Sequence, residues 1–310
     1  MTMLKEVTKE TYRRRFQSNP HPYISETFLE LVLGNTEQMI RLMDEEDNSI
    51  GLILGSRDGS LSSPFSAPFG GFHYSHEYLT YEAIYSFVKN LKAFVTNNNF
   101  KDISITLPPD IYQKNTNAKF VNAFIKSGYD MQTPDITNWI NLQEFDGTWI
   151  YAKVGNRCRR ALRNNLYFET ANDDDSKQEA YTLIKNNRLG QNRPIHMSFE
   201  DLMKVEKVIP VDYFVVREDN GNCVGSGVFY RGHDKIAQGI FMGDDLGKRD
   251  LGAIDFLYMS LYNYYKDLKF DYVDFGTSSS DGEPNTGLIR FKEIHNCHSS
   301  LRFSFKWVNK

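Results

Sequence analysis

The segment Asp271-Tyr-Val-Asp-Phe-Gly-Thr-Ser-Ser-Ser280, followed by Gly287-Leu-Ile-Arg-Phe-Lys292, decides the fold predicted for this chain of 310 residues. The first stretch predicts a short buried strand that ends in a loop rich in glycine and serine, and the second predicts a helix that returns two cations towards that loop. A carboxylate, hydroxyls, backbone N–H groups and cations are therefore expected at one strand end, where open sheets tend to hold ligands. The segment predicts a site geometry before it predicts a function.

Helical and strand patterns alternate along the rest of the chain. In the first half we expect a helix at 23–33 capped by Ser25, strands at 38–43 and 49–55 joined by an acidic turn at 44–48, a bulged strand or loop at 62–73, a helix from 80, a strand at 103–107, a helix near 116 and a closing strand at 135–142. In the second half we expect helices at 153–164, 176–188, 198–208 and from 251, strands at 166–170, 211–216, 224–230 and 235–242, and a final strand at 299–307 after the opening segment.

The tails of the two halves match element by element. The helix, strand, helix and strand that begin near 81, 102, 116 and 137 have counterparts near 251, 271, 286 and 299, at an offset of roughly 160–170 residues. A repeated α/β unit with a mixed sheet explains this match, with an N-terminal domain at 1–148 and a C-terminal domain at 149–310. Two unrelated α/β domains remain the alternative.

The composition sets limits on function. Hydrophobic residues make up 40% of the chain and aromatic residues 14%, which is ample for sizeable cores. A net charge of −4 gives no global attraction for nucleic acid, so a polyanion would need a local patch. The three scattered cysteines give neither a disulfide framework nor a paired zinc motif. The polar N-terminus and the absence of a long apolar run predict a cytoplasmic protein with no membrane span.

The order of elements in the second half is that of the GNAT N-acyltransferase fold. Within it, Asp274-Phe-Gly-Thr-Ser278 and Gly287-Leu-Ile-Arg-Phe-Lys292 resemble the C-terminal signature of Fem-type proteins (FemA, FemB, FemX), and Asn156-Arg-Cys-Arg-Arg160 resembles the segment that opens their second GNAT-like domain. The resemblance implies two tandem GNAT-like domains. It also implies acyl transfer to an amine, with aminoacyl-tRNA as donor in the Fem branch or acyl-coenzyme A in ordinary GNAT enzymes.

Two residues are predicted to be catalytic. The resemblance assigns Lys292 to the motif lysine that stabilises charge in the transition state, and a surface helix lysine is the alternative. Asp274 is a candidate general base, since it shares a strand face with Tyr272 and Gly276. Capping of the following loop through backbone N–H bonds is an equally good interpretation of Asp274.

Other residues are predicted to bind substrate. Arg157, Arg160 and Arg163 would grip the phosphates of a nucleotide-sugar acceptor or a tRNA acceptor end, unless they form a solvated face paired with 173–175. Further candidate substrate contacts around the opening segment are Tyr272, Ser278, Ser279 and Arg290. Arg290 lies two positions from Lys292 and so points elsewhere on the helix.

Arg249 and Gly252 occupy the place of the GNAT coenzyme A loop, but Asp250 beside them would repel phosphate. This departure favours the Fem branch. No metal site is expected, because His295, Cys297 and His298 lack a second ligand pair at zinc spacing and are better placed at a helix end and a strand start.

The sequence thus predicts an N-acyl or aminoacyl transferase of Fem type that acts on a nucleotide-linked or cell-envelope precursor. It predicts no permanently bound cofactor, only acyl-coenzyme A or aminoacyl-tRNA as co-substrate. The alternatives are an acetyl-coenzyme A-dependent GNAT enzyme and a non-catalytic binding module on a duplicated fold. The second half is expected to do the chemistry, because the corresponding first-half stretch at 104–109 has no such carboxylate or cation.

Overall fold

The structure is a computed structural model that describes residues 4–45, 49–76 and 79–309. The strands, in chain order, are β1 (Leu4–Glu6), β2 (Gln38–Asp44), β3 (Ile50–Arg57), β4 (Ser60–Ser63), β5 (Phe72–Tyr74), β6 (Asp102–Thr106), β7 (Asp130–Met131), β8 (Asp135–Asn141), β9 (Tyr167–Thr170), β10 (Val211–Arg217), β11 (Cys223–Tyr230), β12 (Ile236–Asp244), β13 (Tyr272–Thr277), β14 (Ser279–Ser280), β15 (Glu283–Pro284), β16 (His298–Arg302) and β17 (Ser304–Val308). The α-helices are α1 (Lys9–Arg15), α2 (Glu26–Leu31), α3 (Tyr81–Asn97), α4 (Asn117–Lys126), α5 (Ala152–Arg163), α6 (Asp174–Gly190), α7 (Phe199–Glu206), α8 (Ala253–Asp267) and α9 (Thr286–Ile294). Short 3-10 helices lie at Pro22–Ile24, Leu33–Asn35, Asp110–Tyr112 and Leu246–Leu251.

Two mixed sheets organise these elements, so the predicted α/β class is confirmed. The first sheet has the order β1-β2-β3-β4-β6-β17-β7, with β5 paired to β3, and the second has the order β16-β8-β13-β12-β11-β10-β9. A small third sheet is formed by β14 and β15. The pairs β4–β6 and β12–β13 are parallel, and each is bridged by a helical crossover (α3 and α8), as parallel neighbours require.

The closing strands are exchanged relative to the prediction. Strand β8 was expected to close the first half, but it pairs antiparallel with β13 in the second sheet, where Ile140 lies opposite Val273. The predicted strand at 299–307 is two strands that join different sheets, and β17 pairs with β6 of the first sheet. The prediction was wrong because both stretches alternate regularly, and alternation specifies which face is buried but not which strand is the partner.

Contacts divide the chain into two compact units. One comprises Met1–Ile136, Ser279–Glu283 and Ser300–Lys310, and the other comprises Thr137–Ser278 and Pro284–Ser299. Each unit thus includes segments from both sides of residue 148. The domain limits predicted at 1–148 and 149–310 stay a prediction.

The core of the first unit is built on the apolar stripe of α3. Ile84, Phe87 and Leu91 of this stripe are buried, as the helical period predicts. The last strand contributes Phe305, which is 1% exposed and stacks on Phe124 of α4 at a centroid distance of 4.7 Å. The C-terminal strand is therefore part of the first unit's core.

The core of the second unit lies between α8 and the face of β13 that carries Val273 and Phe275. Leu257, Leu261 and Tyr265, which recur at helical spacing along α8, are buried against it. Asp274 lies between Val273 and Phe275 in sequence and so faces the opposite side of the sheet. This alternation fixes which side of β13 carries polar chemistry.

Smaller predictions at the N-terminal end had mixed outcomes. The helix expected at 23–33 is shorter, and α2 begins after Ser25, whose side chain accepts the Phe28 N–H as predicted. The polar start, for which no element was predicted, forms β1 and α1, and α1 is capped by Thr8. Residues 46–48 of the predicted acidic turn lie outside the described residues.

Candidate functional site

Lys292 is the centre of the candidate site. It lies on α9, is 4% exposed, and donates hydrogen bonds to three successive carbonyl oxygens at the end of β13. The Nζ–O distances are 2.8 Å to Phe275, 2.9 Å to Gly276 and 3.1 Å to Thr277. An ammonium has three N–H bonds, so these carbonyls use all of them.

A bulge in β13 makes this convergence possible. Successive carbonyls of a regular strand point in opposite directions, but the register of β13 against β8 shifts between Asp274 and Thr277. Gly276 has a φ of +70°, which lies in the left-handed region that glycine adopts without strain. The glycine of the Asp-Phe-Gly signature therefore turns the backbone so that one cation can bind all three carbonyls.

Burial and hydrogen bonding have opposite effects on the protonation of Lys292. Burial lowers the pKa of Lys292 to about 8, and the weaker electrostatic effects of Cys297 and Asp274 oppose this shift. The three carbonyls favour the ammonium form, because a neutral amine has only two N–H bonds to offer. Buried groups with a shifted pKa occur often at functional sites, so Lys292 is the strongest candidate in this unit.

Asp274 is fully buried beside this bulge. Its Oδ1 accepts the N–H of Gly276 at 2.8 Å, and its neighbours in the sheet are Gln238 on β12 and Trp139 on β8. This geometry matches the loop-capping interpretation of Asp274. The general-base role stays a prediction.

The two predicted serines fix the loop after β13. The Ser278 hydroxyl donates to Asn138 Oδ1 at 2.5 Å, and the Ser278 carbonyl accepts the Asn285 N–H at the start of α9. The Ser279 hydroxyl, in the first unit, donates to Asp135 Oδ1 at 2.6 Å and accepts the Ile136 N–H at 2.8 Å. Both hydroxyls are thus engaged within the protein.

Arg157 does not present a free guanidinium for phosphate. Its Nη2 lies 2.8 Å from Asp255 Oδ1, and Asp255 is almost fully buried in the first turn of α8. The same carboxylate oxygen lies 3.1 Å from His295 Nε2 at the end of α9. Sequence reasoning missed Asp255 and His295, since an acid on an apolar stripe and a histidine after a helix give no pairing signal.

Arg160 and Arg163 remain exposed on α5. Among residues 4–45, 49–76 and 79–309, neither forms an ion pair, so the alternative of pairing with 173–175 is not seen there. Asp173 instead caps α6 by accepting the Ser176 N–H. A basic helix face at Arg160 and Arg163 is therefore available to an anionic ligand.

The segment predicted to hold coenzyme A is exposed, and its two cations form ion pairs within the protein. Arg249 Nε lies 3.5 Å from Asp244 Oδ2, and Lys248 pairs with Glu218. Gly252 begins α8 with a φ of +79°, and a Cβ built on it would lie 2.8 Å from the carbonyl oxygen of Arg157. Helix α5 therefore packs directly against the N-terminus of α8, where a pyrophosphate would have to bind.

Tyr272 and Arg290 lie at the edges of this region. Tyr272 is half-buried and meets the Trp139 ring edge-on at a centroid distance of 5.5 Å. Arg290 is exposed and stacks on the Tyr151 ring at 4.2 Å, with its Nη1 2.7 Å from the Tyr151 hydroxyl. Neither residue contacts the ammonium of Lys292, as the helical spacing predicts for Arg290.

Within the part of the chain that the structure describes, no group of three histidine, cysteine, aspartate or glutamate side chains could hold a metal ion. His295 follows α9 and His298 begins β16, as predicted. The described helices include none that is long and apolar enough to cross a membrane.

No protein-family model matches the sequence, and no curated protein matches it. Solved structures do match. FemX aligns with a TM-score of 0.71 at 11% identity, over 99% of this chain and 97% of FemX. L-PGS from Bacillus licheniformis aligns with a TM-score of 0.60 at 11% identity, over 97% of this chain and 91% of L-PGS. A tandem GNAT protein from the clavulanic acid biosynthesis pathway aligns with a TM-score of 0.55 at 8% identity, over 99% of this chain and 98% of that protein.

The chain therefore has a tandem GNAT-like fold of Fem type, and the predicted resemblance is confirmed at the level of the fold. Nearly the whole length of each compared chain takes part in the alignment. At identities of 11% and below, the likeness is one of backbone architecture. Function has to be argued from the site.

Proposed function

We propose that this protein is a Fem-type N-acyl or aminoacyl transferase, which joins an acyl group to an amine of a nucleotide-linked or cell-envelope precursor. The observation that carries the proposal is the buried ammonium of Lys292 at the end of β13. A cation held in a site of low dielectric stabilises nearby negative charge far more strongly than one in water. The fold, shared with FemX and a tandem GNAT protein, supports the same reaction class.

The chemistry follows from the hydrogen bonds that Lys292 makes. In acyl transfer, the amine nitrogen forms a bond to the acyl carbon, the bond from that carbon to the donor breaks, and the amine proton passes to the leaving group. The acyl oxygen becomes negative on the way. We propose that this oxygen displaces one of the three backbone carbonyls from Lys292 Nζ. The exchange replaces a neutral acceptor by a charged one, which forms the stronger hydrogen bond.

The surrounding residues would then have distinct roles. Asp274 and Ser278 hold the bulge and the loop that shape the carbonyl cage. Arg160 and Arg163 offer the exposed cations that a phosphate or a tRNA acceptor end requires. Tyr272 and Arg290 flank the site and are proposed to contact the acceptor, and Ser279 to order the loop.

The internal contacts of the coenzyme A segment favour aminoacyl-tRNA over acyl-coenzyme A as donor. A GNAT enzyme binds pyrophosphate with loop amides and a helix N-terminus. Here Arg249 is paired with Asp244, and the backbone of Arg157 packs against Gly252. These residues do not fit a coenzyme A pyrophosphate in the GNAT manner.

The test is a donor-by-acceptor assay. Purified protein is incubated with charged total tRNA or acetyl-coenzyme A, together with nucleotide-sugar peptides that carry a free amine, and the acceptor mass is followed. We expect a mass increase with charged tRNA, and loss of about 100-fold or more in kcat for Lys292→Met. Lys185→Met, at an exposed lysine on α6, is the matched control and should keep full activity.

The pH profile sharpens this test. Because the ammonium form is required, kcat for a given acceptor should fall as the pH rises through about 8. Full turnover by folded Lys292→Met would contradict the catalytic assignment. Product formation from acetyl-coenzyme A alone would instead support the GNAT acetyltransferase alternative.

A non-catalytic binding module is the second candidate function. It is favoured by one observation, namely that all three N–H bonds of Lys292 are already used by the protein's own backbone. A saturating true ligand would then raise the melting temperature, as expected for about 3–4 kcal/mol of binding linkage, without any mass change in the acceptor.

A further inference from the structure

A chain of buried polar contacts connects three helices of the second unit. Asp255 on α8 receives Arg157 of α5 and His295 at the end of α9 on the same oxygen, at 2.8 Å and 3.1 Å. The backbone carbonyl of Asp255 also accepts a hydrogen bond from the Cys158 thiol at 3.4 Å. Neither the His295 nor the Asp255 side chain has more than 4% of its surface exposed. None of these contacts involves Tyr272 or Arg290, the residues proposed to contact the acceptor, so we consider an indirect role.

The series of polar contacts that runs from Arg157 through Asp255 to His295 ends at the turn of α9 that carries Lys292. His295 Nδ1 lies 2.7 Å from the carbonyl oxygen of Phe291, and the His295 and Cys297 N–H groups both bond the carbonyl oxygen of Lys292 at 3.1 Å. The His295 carbonyl is in turn held by the Tyr262 hydroxyl at 2.7 Å. The backbone of Lys292 is thus held by hydrogen bonds that are separate from those of its ammonium.

The hydrogen-bond donors determine how this connection works. A carbonyl oxygen only accepts, so the Nδ1 of His295 must carry a proton towards Phe291. The Nε2 then faces the Asp255 carboxylate, and a bond there needs a second proton on that contact. The imidazole ring therefore transmits the position of Asp255 to the backbone of α9 only while both of its nitrogens are engaged.

Packing around His295 leaves the ring little freedom. Its centroid lies 4.2 Å from Tyr258, 4.5 Å from Phe291 and 5.8 Å from Trp149. Rings at these distances confine the imidazole to one orientation, since a protein interior is close-packed. A displacement of Asp255 would therefore move the backbone of α9, because His295 cannot rotate to compensate for it.

We propose that Asp255 is a positioning residue, which acts through His295 to hold α9 and thereby keeps the Lys292 ammonium in its carbonyl cage. The assignment of this cation to acyl transfer rests on the function proposed above, but the positioning role itself does not. Arg157 contributes to the same positioning through its ion pair with Asp255. We therefore assign the predicted substrate contacts of this helix to Arg160 and Arg163.

The experiment measures the pH at which the Lys292 ammonium loses its proton in the Asp255→Asn variant. The Nζ resonance of isotope-labelled protein, assigned by its absence in Lys292→Met, is followed as a function of pH. The native midpoint is expected near 8. In Asp255→Asn the midpoint should rise by about one pH unit or more, because a loosened α9 admits water to the ammonium. Where the acyl transfer assay succeeds, kcat should also fall by about tenfold or more with little change in KM.

Asp212→Asn is the matched control. Asp212 is a nearly buried carboxylate of the same unit, paired with Arg231 at 2.9 Å and with the Tyr265 hydroxyl at 3.0 Å at the far end of α8. It should lower stability comparably and leave the Lys292 midpoint and kcat unchanged. An unchanged midpoint in Asp255→Asn, or an equal shift in the control, would overturn the proposal.

Two variants at His295 carry the test if Asp255→Asn does not fold. His295→Asn keeps a donor near Phe291 but loses Asp255, and His295→Gln keeps a donor for Asp255 but loses Phe291. Both should shift the Lys292 midpoint, because each interrupts the connection at one end. If neither does so, the positioning role is refuted. If the midpoints shift but no acyl transfer is found with any donor, the positioning role stands and the proposed function fails.

Discussion

The packing of α5 on the start of α8 gives a sharp stability prediction for Gly252→Ala. Alanine at this position must adopt a φ of +79°, and its Cβ would lie 2.8 Å from the carbonyl oxygen of Arg157. The backbone conformation costs about 1–2 kcal/mol for a residue with a Cβ. The overlap with a backbone atom adds about 1–3 kcal/mol, because no flexible side chain can move away. We expect a loss of about 2–5 kcal/mol in the free energy of unfolding.

Gly221→Ala is the control that separates the two costs. Gly221 has a φ of +85°, and among the described residues nothing beyond its two chain neighbours lies within 4 Å of the position that an alanine Cβ would occupy, so it carries only the backbone cost of about 1–2 kcal/mol. The assay is urea unfolding followed by circular dichroism and by tryptophan fluorescence, to which Trp149, packed on Tyr262 in the same unit, contributes. Gly252→Ala should also melt lower than the control by about 4–8 °C, for a difference of about 2 kcal/mol. Equal losses in the two variants would refute the direct contact between α5 and α8, and with it the argument against coenzyme A.

Three further predictions concern other parts of the molecule. Burial lowers the pKa of Lys292 to about 8 from 10.5, so between these values the unfolded chain holds the proton that the folded chain releases. The free energy of unfolding, relative to Lys292→Met, should then rise by about 1.4 kcal/mol per pH unit, and urea titrations near pH 7 and near pH 9.5 would show a constant difference if this is wrong. Phe305→Ala should lower the free energy of unfolding by about 3–5 kcal/mol, because Phe305 is 1% exposed. Val308→Ala on the same strand should cost little, because Val308 is 47% exposed. Equal losses in thermal melts would argue against the observed partner of β17. Ser198→Ala removes the capping box of α7 and should cost about 1 kcal/mol in the same assay, and an unchanged melting temperature would count against the box.

The sequence predicted the elements of this protein better than their partners. The stripe of α3 and the alternation of β13 follow from periods of 3.6 and 2, which are local properties. The partners of β8 and β17 are not local, since each strand pairs with a segment far along the chain. A regular alternation of apolar residues would have suited either sheet, so only the assembled cores decide between them.

The same contrast between local patterns and distant partners explains which site residues the sequence identified and which it did not. Lys292 and Gly276 could be identified because a short signature carries both of them. Asp255 could not, because its two partners lie on α5, 98 positions before it, and just after α9, 40 positions after it (255 − 157 = 98 and 295 − 255 = 40). The arginine pattern of α5 even pointed away from it, since three arginines at a spacing of three predict one shared role.

Arg157 forms an ion pair with the buried Asp255, whereas Arg160 and Arg163 stay exposed. This difference follows from the packing of α5 on α8. Gly252 lets α5 approach so closely that the Arg157 side chain reaches the first turn of α8, where Asp255 is buried. A buried carboxylate requires a compensating partner, because an unpaired charge in the interior costs several kcal/mol. Arg157 and His295 meet that need, so Arg157 is engaged in an internal ion pair. The same contact brings a backbone carbonyl of α5 to the N-terminus of α8. The absence of a Cβ at Gly252 thus ties α5 to the helix that carries Asp255, the residue proposed to hold Lys292 in place.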